Sequence, residues 1–167
     1  AEQAKILVAD AEERNLDDDK FERWYTCGLC EQEHHGVVRC ALGWACWKTY
    51  VGRPEADRTR IMAMNQLGNG LNAAKHHDDA LSAQEAELSL GRRLGASENH
   101  ILVVQINLAN TYAALGQMEK ALSMARDVYS GRLKLSGEEH LDTVIAANNY
   151  ASSLGELKRF EEARSLL

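Results

Sequence analysis

Apolar and polar positions recur along most of the chain with the period of an α-helix. In two stretches, NLANTYAALGQMEKAL (107–122) and NYASSLGELKRFEEAR (149–164), apolar residues return every three or four positions and are interrupted once by a short polar turn. That spacing places the apolar side chains on one face of a helix, so each stretch predicts two helices joined by a turn. The chain is rich in Ala and Leu and has one Pro in 167 residues, a composition that favours helices. We predict an all-α fold.

The two stretches are copies of one pattern. At an offset of 42 residues, Leu108 aligns with Tyr150, and a third copy, QLGNGLNAAKHHDDAL (66–81), lies 41 residues upstream of the middle one. A small residue recurs at two positions of every copy, where two antiparallel helices would cross and a larger side chain would push their axes apart. These small residues are Gly68, Ala109 and Ala151 on the first helix, and Ala80, Ala121 and Ala163 on the second.

This pattern resembles the tetratricopeptide repeat, or TPR, a helix–turn–helix unit with a period of about 34 residues. The longer period here, 41 to 42 residues, and the linkers LGASENH (94–100) and LSGEEH (135–140) resemble the kinesin-light-chain type of TPR. The resemblance implies an α-solenoid in which stacked helical hairpins form a right-handed superhelix. It also implies a scaffold for protein interactions.

The repeat offsets predict the organisation of the chain. We expect an N-terminal helix over 1–16 and a TPR array over 17–167. The array divides into a degenerate repeat at 18–52, repeats at 55–94 and 98–135, and a truncated repeat at 139–167. The predicted helices cover about 2–14, 18–33, 37–51, 55–74, 77–93, 98–115, 118–134, 139–157 and 160–167. Because a short last helix leaves apolar surface uncovered, we expect either a longer solenoid or docking on another molecule.

The stretch YTCGLCEQEHHGVVRC (25–40) allows two interpretations. Its Cys and His residues have the C-x2-C-x4-H-x4-C spacing of a zinc knuckle, a small nucleic-acid-binding module. The ligands would be Cys27, Cys30, His35 (or His34) and Cys40. Alternatively, the stretch is the degenerate first repeat, whose first helix contains both neighbouring cysteines and whose Gly28 faces Cys40 at a small-residue position. We favour the repeat and predict no cofactor, with zinc as the alternative.

The charge of the chain counts against nucleic acid as a partner. The formal net charge is −6 at pH 7, and no basic stripe is present for a phosphate backbone. Trp44 and Trp47 have helical spacing, which favours a core role over base stacking. No apolar run approaches the roughly 20 residues of a membrane span, so we expect no membrane insertion. Four cysteines are too few for a disulfide scaffold, which predicts an intracellular, reducing compartment, with the cytoplasm favoured.

The sequence shows no catalytic motif. It contains no P-loop, no G-x-G-x-x-G and no G-x-S-x-G. The run His76-His77-Asp78-Asp79 is interpreted as a turn and a helix start, where acidic residues complement the helix dipole. We therefore expect that the protein is not an enzyme.

The resemblance places ligand binding on the first helix of each repeat. The candidate residues there are Asn65, Gln66, Asn69, Asn72, Ile106, Asn107, Asn110, Asn148, Asn149 and Ser152. An Asn amide both donates and accepts hydrogen bonds, so a column of such amides can hold a peptide backbone irrespective of its sequence. Alternatively, some of these amides bond within the array and position its helices. Few basic residues lie on these helices, which disfavours a ligand held by its terminal carboxylate.

We expect a protein or peptide as the partner, bound in the concave groove of the array. One alternative is a structural subunit whose faces are occupied inside a larger complex. A zinc-dependent nucleic-acid module built on 25–50 ranks last.

Overall fold

The computed structural model of the protein describes residues 1–14 and 18–166. Within these ranges the chain forms eight α-helices and one 3-10 helix, and the only strand-like pairing is an isolated bridge between Thr26 and Glu33. The α-helices are α1 (Glu2–Glu13), α2 (Gly36–Tyr50), α3 (Arg58–Ala73), α4 (His77–Leu94), α5 (Glu98–Ala114), α6 (Met118–Ser136), α7 (Leu141–Glu156) and α8 (Phe160–Arg164). The 3-10 helix, Asp18–Trp24, follows α1. None of the described helices is long and apolar enough to cross a membrane.

The chain forms two compact units, Ala1–Ala83 and Gln84–Leu167. Helix α4 begins in the first unit and ends in the second. The predicted boundary between the N-terminal helix and the array, at residues 16 and 17, lies outside the described residues, as does the predicted last residue of the final helix.

An aromatic cluster forms the core of the first unit. Trp24 is 1 % exposed and lies edge-on to Tyr50 of α2, with ring centroids 5.9 Å apart, and Phe21 packs against the same ring. The cluster is completed by Ala4, Val8, Cys46 and Ala63. Trp47 packs against this core as predicted, whereas Trp44 is 43 % exposed, so the predicted core role of Trp44 is wrong.

Helices α2 and α3 approach each other backbone to backbone. Gly43 of α2 lies against the main chain of Gln66, and Gly70 of α3 lies against the main chain of Arg39. The absence of a side chain at both glycines lets the two helix axes come this close. The close pairing therefore depends on two glycines that the repeat alignment did not single out.

The helix predicted over 18–33 is wrong. Helical structure ends at Trp24, and residues 25–35 form a turn and an extended segment before α2. The turn is closed by the N–H of Cys27, which donates to the carbonyl of Gln32 at 2.8 Å, and Glu31 adopts a φ of 58°. A residue in this left-handed region cannot continue a right-handed helix, so the chain reverses instead.

Gly28 does not face Cys40. A Cβ atom added at Gly28 would have Gln3 and Arg23 as its nearest neighbours, whereas Cys40 packs against the cluster that contains Leu67 of α3. The first helix of the degenerate repeat is therefore replaced by the turn, and only its second helix forms, as α2.

In the second unit, α5, α6 and α7 pack in succession around a buried apolar core. Leu108, Val128 and Leu154, one from each helix, are nearly completely buried. Next to them the hydroxyl of Thr111 donates to the side-chain oxygen of Gln84 at 2.7 Å, and both side chains are buried. This hydrogen bond offsets the desolvation of two polar groups in the interior.

The turns inside the helical hairpins share one backbone feature. Lys75, Gly116 and Lys158 have φ values of 64°, 72° and 60°. They recur at the sequence offsets of the repeat, so each hairpin reverses direction through a single left-handed residue. The helix after the third turn, α8, ends at Arg164 and is shorter than the predicted 160–167.

Candidate peptide-binding site

The ends of α5 and α7 are fixed by residues of the two linkers. Ser97 caps α5, where its hydroxyl oxygen accepts the N–H of His100 at 3.3 Å, and Nδ1 of His140 accepts the N–H of Asp142 at the start of α7. Such caps satisfy N–H groups that have no partner inside a helix. The linkers therefore fix the residues at which α5 and α7 begin, and thereby the positions of the candidate side chains along both helices.

A cavity of about 380 Å³ lies between α5, α6 and α7. Its floor is apolar and its rim is polar. The lining residues are Ile106, Ala109, Asn110, Ala113, Met118, Ala125, Val128, Ala146, Asn149, Ser152, Ser153 and Glu156. The structure thus brings together Asn110, Asn149 and Ser152 of the predicted site, together with Ile106.

The two rim amides are available to a ligand. Asn110 and Asn149 are both exposed, and neither side chain makes a hydrogen bond within the described part of the chain. The hydroxyl of Ser153, by contrast, already donates to the carbonyl of Asn149 at 3.0 Å. Glu156 is the one charged residue among those that line the cavity, so the rim carries a negative charge.

Sequence reasoning missed the floor of the cavity. Ala113, Ala125 and Ala146 leave space because their side chains are short, and Met118 and Val128 complete the apolar lining. An alanine on a helix face is indistinguishable in the sequence from ordinary core packing. The only signal was the excess of small residues on α5 and α7.

Two other predicted residues of this unit lie away from the cavity. Asn148 is adjacent to Asn149 in sequence but lines a different cavity, of about 490 Å³, beside Tyr129 and Ile145. Asn107 is half-buried, and its backbone carbonyl oxygen lies 2.9 Å from the hydroxyl oxygen of Thr111.

The three candidate asparagines of the first unit are engaged within the fold. Nδ2 of Asn69 donates to Oδ1 of Asn65 at 3.0 Å, and Oδ1 of Asn72 lies 2.9 Å from Nδ1 of His77. The side-chain oxygen of Gln66 is buried and has no hydrogen-bond partner among the described residues. On α3, Asn65, Asn69 and Asn72 therefore match the alternative interpretation, in which amides position helices, whereas Gln66 does not.

The predicted zinc ligands are not assembled as a group. Cys40 packs against α3 and α4, while Cys27 and Cys30 lie on the turn that precedes α2. Over residues 1–14 and 18–166, no three His, Cys, Asp or Glu side chains are arranged to hold a metal ion. Zinc binding by this set would require a rearrangement of Cys40 out of the core.

Successive helical hairpins with one repeating turn define a helical-repeat protein. Residues 100–167 match the family model of the tetratricopeptide repeat. The predicted resemblance to this family is confirmed by this match.

The chain shares its fold with solved structures of TPR proteins. A protein of Podosopora anserina, described as a kinesin light chain with nearly identical TPR-like repeats, aligns with a TM-score of 0.65 and 17 % identity over 99 % of this chain and 70 % of that one. BtubC (BKLC) from P. vanneervenii aligns with a TM-score of 0.64 and 16 % identity, over 99 % of this chain and 58 % of that one. No curated protein matches the chain.

At these identities the likeness is one of fold. The predicted all-α, α-solenoid class and the kinesin-light-chain-like subtype are confirmed at that level. TPR units generally mediate protein–protein interactions.

Proposed function

We propose that the second unit binds a peptide segment of a partner protein in the cavity between α5 and α7. The observation that carries the proposal is the pair of exposed, unengaged amides of Asn110 and Asn149 on the rim of one cavity. Each amide offers a donor and an acceptor, which matches the C=O and N–H groups of an extended backbone. The partner is therefore held mainly by its main chain.

The floor of the cavity adds a requirement for one apolar side chain. Ala109, Ala113 and Ala146 leave a recess that an aliphatic or aromatic residue of the peptide fills, and its burial contributes about 25 cal/mol per Å² of apolar area. Beside this recess, Glu156 disfavours an acidic residue or a terminal carboxylate through like-charge repulsion. The ligand we propose is an internal, neutral or basic segment with one apolar anchor.

The experiment is peptide selection followed by affinity measurement. A library of short random peptides is selected on the purified protein, and the best peptide is measured by fluorescence polarisation. Asn110→Ala combined with Asn149→Ala should weaken binding about tenfold, since each lost hydrogen bond contributes about 0.5–1.5 kcal/mol. Asn148→Ala is the matched control, because this residue is adjacent in the chain but lines the other cavity.

Equal affinities for the wild-type protein and the double variant would overturn this proposal. So would an equal loss on Asn148→Ala, which would place the peptide on the opposite side of α7.

A structural subunit of a larger complex is the second candidate. Leu141, Val144 and Ile145 are exposed together at the start of α7, and exposed large apolar residues so close to one another are unusual. Such a surface favours a permanently covered interface with another protein. Purification of the protein from its source only in a fixed stoichiometric complex, with loss of that complex on Val144→Ser and Ile145→Ser, would support this candidate over the first.

We further propose that the protein is not an enzyme, that it needs no cofactor, that it does not bind nucleic acid, and that it works in a reducing compartment such as the cytoplasm.

A further inference from the structure

The turn before α2 holds two thiols side by side. The bridge between Thr26 and Glu33 frames the turn, and inside it the N–H of Glu31 donates to the carbonyl of Cys27 at 3.0 Å. Cys27 and Cys30 are both free cysteines, and Cys30 is exposed. The two cysteines of the C-x2-C spacing therefore lie together in one closed turn of the structure.

The turn is fixed to the rest of the first unit. Nη1 of Arg39, a buried residue of α2, donates to the carbonyl of Tyr25 at 3.3 Å and lies 3.5 Å from the carboxylate of Glu33. The N–H of His34 also donates to the carbonyl of Tyr25, at 2.8 Å. Both ends of the turn are thus held, so the two thiols keep their relative position in the folded protein.

The side chains of Cys27 and Cys30 lie within interaction distance of each other on this turn. Neither thiol is buried, and Nη1 of Arg23 donates to the carbonyl of Cys27 at 3.5 Å. Two accessible thiols held on one closed turn are the arrangement that intramolecular disulfide formation requires.

The other two cysteines have the opposite environment. Cys46 is completely buried in the aromatic core, and Cys40 packs against the cluster of Leu67 and Leu71. Burial raises the pKa of both thiols. Cys40 and Cys46 therefore serve as internal controls for the reactivity of Cys27 and Cys30.

We infer that Cys27 and Cys30 form a dithiol site that a hydroperoxide oxidises to an intramolecular disulfide. The Cys27 thiolate attacks the terminal oxygen of the hydroperoxide, the O–O bond breaks, and the alkoxide leaves as an alcohol after it takes up a proton. Cys27 is then a sulfenic acid. The sulfur of Cys30 attacks it, the S–S bond forms, the S–O bond breaks, and water leaves with the Cys30 proton. Two thiols are oxidised and one hydroperoxide is reduced.

The test uses the fully reduced protein and hydrogen peroxide. After the reaction, remaining thiols are alkylated and the protein is digested and analysed by mass spectrometry. The wild-type protein should lose two hydrogen atoms, all from the peptide that contains Cys27 and Cys30, and dithiothreitol should restore them. Cys40→Ser should behave as the wild type. The reaction should be about tenfold faster in the folded protein than in urea, because the closed turn that holds the two thiols side by side exists only in the fold.

A second variant separates the two steps. Cys30→Ser should stop at the sulfenic acid of Cys27, which a 1,3-diketone such as dimedone traps, whereas Cys27→Ser should yield neither product. First oxidation at Cys40 or Cys46, or equal rates with and without urea, would overturn the inference. Zinc that purifies with these two thiols and protects them until a chelator is added would also overturn it, in favour of a metal site.

Discussion

A Cβ atom added at Gly43 of α2 would lie 2.7 Å from the backbone carbonyl oxygen of Gln66 on α3. Real Cβ atoms do not approach a carbonyl oxygen that closely, and the backbone of a packed helix cannot easily yield. The pairing of the two helices therefore tolerates no side chain at this position.

Gly43→Ala should lower the free energy of unfolding of the first unit by about 1–3 kcal/mol, because the two helices must separate. Urea denaturation followed by tryptophan fluorescence measures this, since all three Trp residues lie in residues 1–83. Gly52→Ala is the control, because a Cβ there meets nothing within 4 Å. Equal effects of both substitutions would contradict the close pairing.

The left-handed turn residues should respond to substitution in opposite directions. Lys75→Gly should stabilise the first unit by roughly 0.5 kcal/mol. A φ of 64° costs a non-Gly residue about 1–2 kcal/mol, and glycine removes that cost. Part of the gain is cancelled because glycine also gives the unfolded chain more conformational freedom. Gly116→Lys should destabilise the second unit by about 1 kcal/mol. Tryptophan fluorescence measures the first change, and far-UV circular dichroism measures the second. A loss of stability in Lys75→Gly would show that the lysine side chain itself stabilises the turn.

Glu12 should make the attachment of α1 sensitive to acid. Its carboxylate accepts two hydrogen bonds from Arg53, at 2.7 and 2.9 Å, and one from Thr59 at 2.8 Å. The Arg53 hydrogen bond is the main cause that lowers the pKa of Glu12 below its ordinary 4.5. The contribution to stability is therefore present above pH 4.5 and is lost as the pH falls through the lowered value in the folded state.

Glu12→Gln should cost about 0.5–1 kcal/mol at neutral pH, a modest value because the carboxylate is partly screened by solvent. The difference from the wild type should shrink progressively as the pH falls below 4.5. Urea denaturation at neutral pH and at several lower pH values measures it. Glu13→Gln, at an exposed neighbouring position, should show no such difference.

Asn69 and Asn110 occupy the same repeat position but should respond differently. Asn69→Ala removes a hydrogen bond to Asn65 and should lower stability by about 0.5–1 kcal/mol while peptide affinity stays unchanged. Asn110→Ala should weaken peptide binding and leave stability unchanged. The two measurements are fluorescence polarisation and urea denaturation, and the reverse pattern would move the binding site to α3.

Thr111→Val should lower the stability of the second unit by about 1–3 kcal/mol, because it leaves the buried oxygen of Gln84 without this donor. Adding Gln84→Leu should recover much of that loss, since both partners are then apolar. Circular dichroism during urea denaturation gives the double-mutant cycle. A coupling energy near zero would show that the hydrogen bond does not stabilise the fold.

The helical hairpins from α3 onward could be predicted from the sequence because their apolar spacing is local and recurs in three copies. The segment around Cys27 could not, because Trp24 is drawn into a tertiary core with Tyr50 and the chain then reverses through Glu31. Asn110 and Asn149 were found by their repeat position. The alanine floor between them was not found, because the recess exists where side chains are short, and short side chains on a helix face look the same in the sequence as ordinary core packing.

Asn148 and Asn149 follow each other in the chain, yet they line cavities on two sides of α7. Helix α7 is thus a wall common to both cavities, and a sideways shift that widens one of them narrows the other. Two molecules seated on opposite sides of α7 would sense each other through the position of the helix without ever touching.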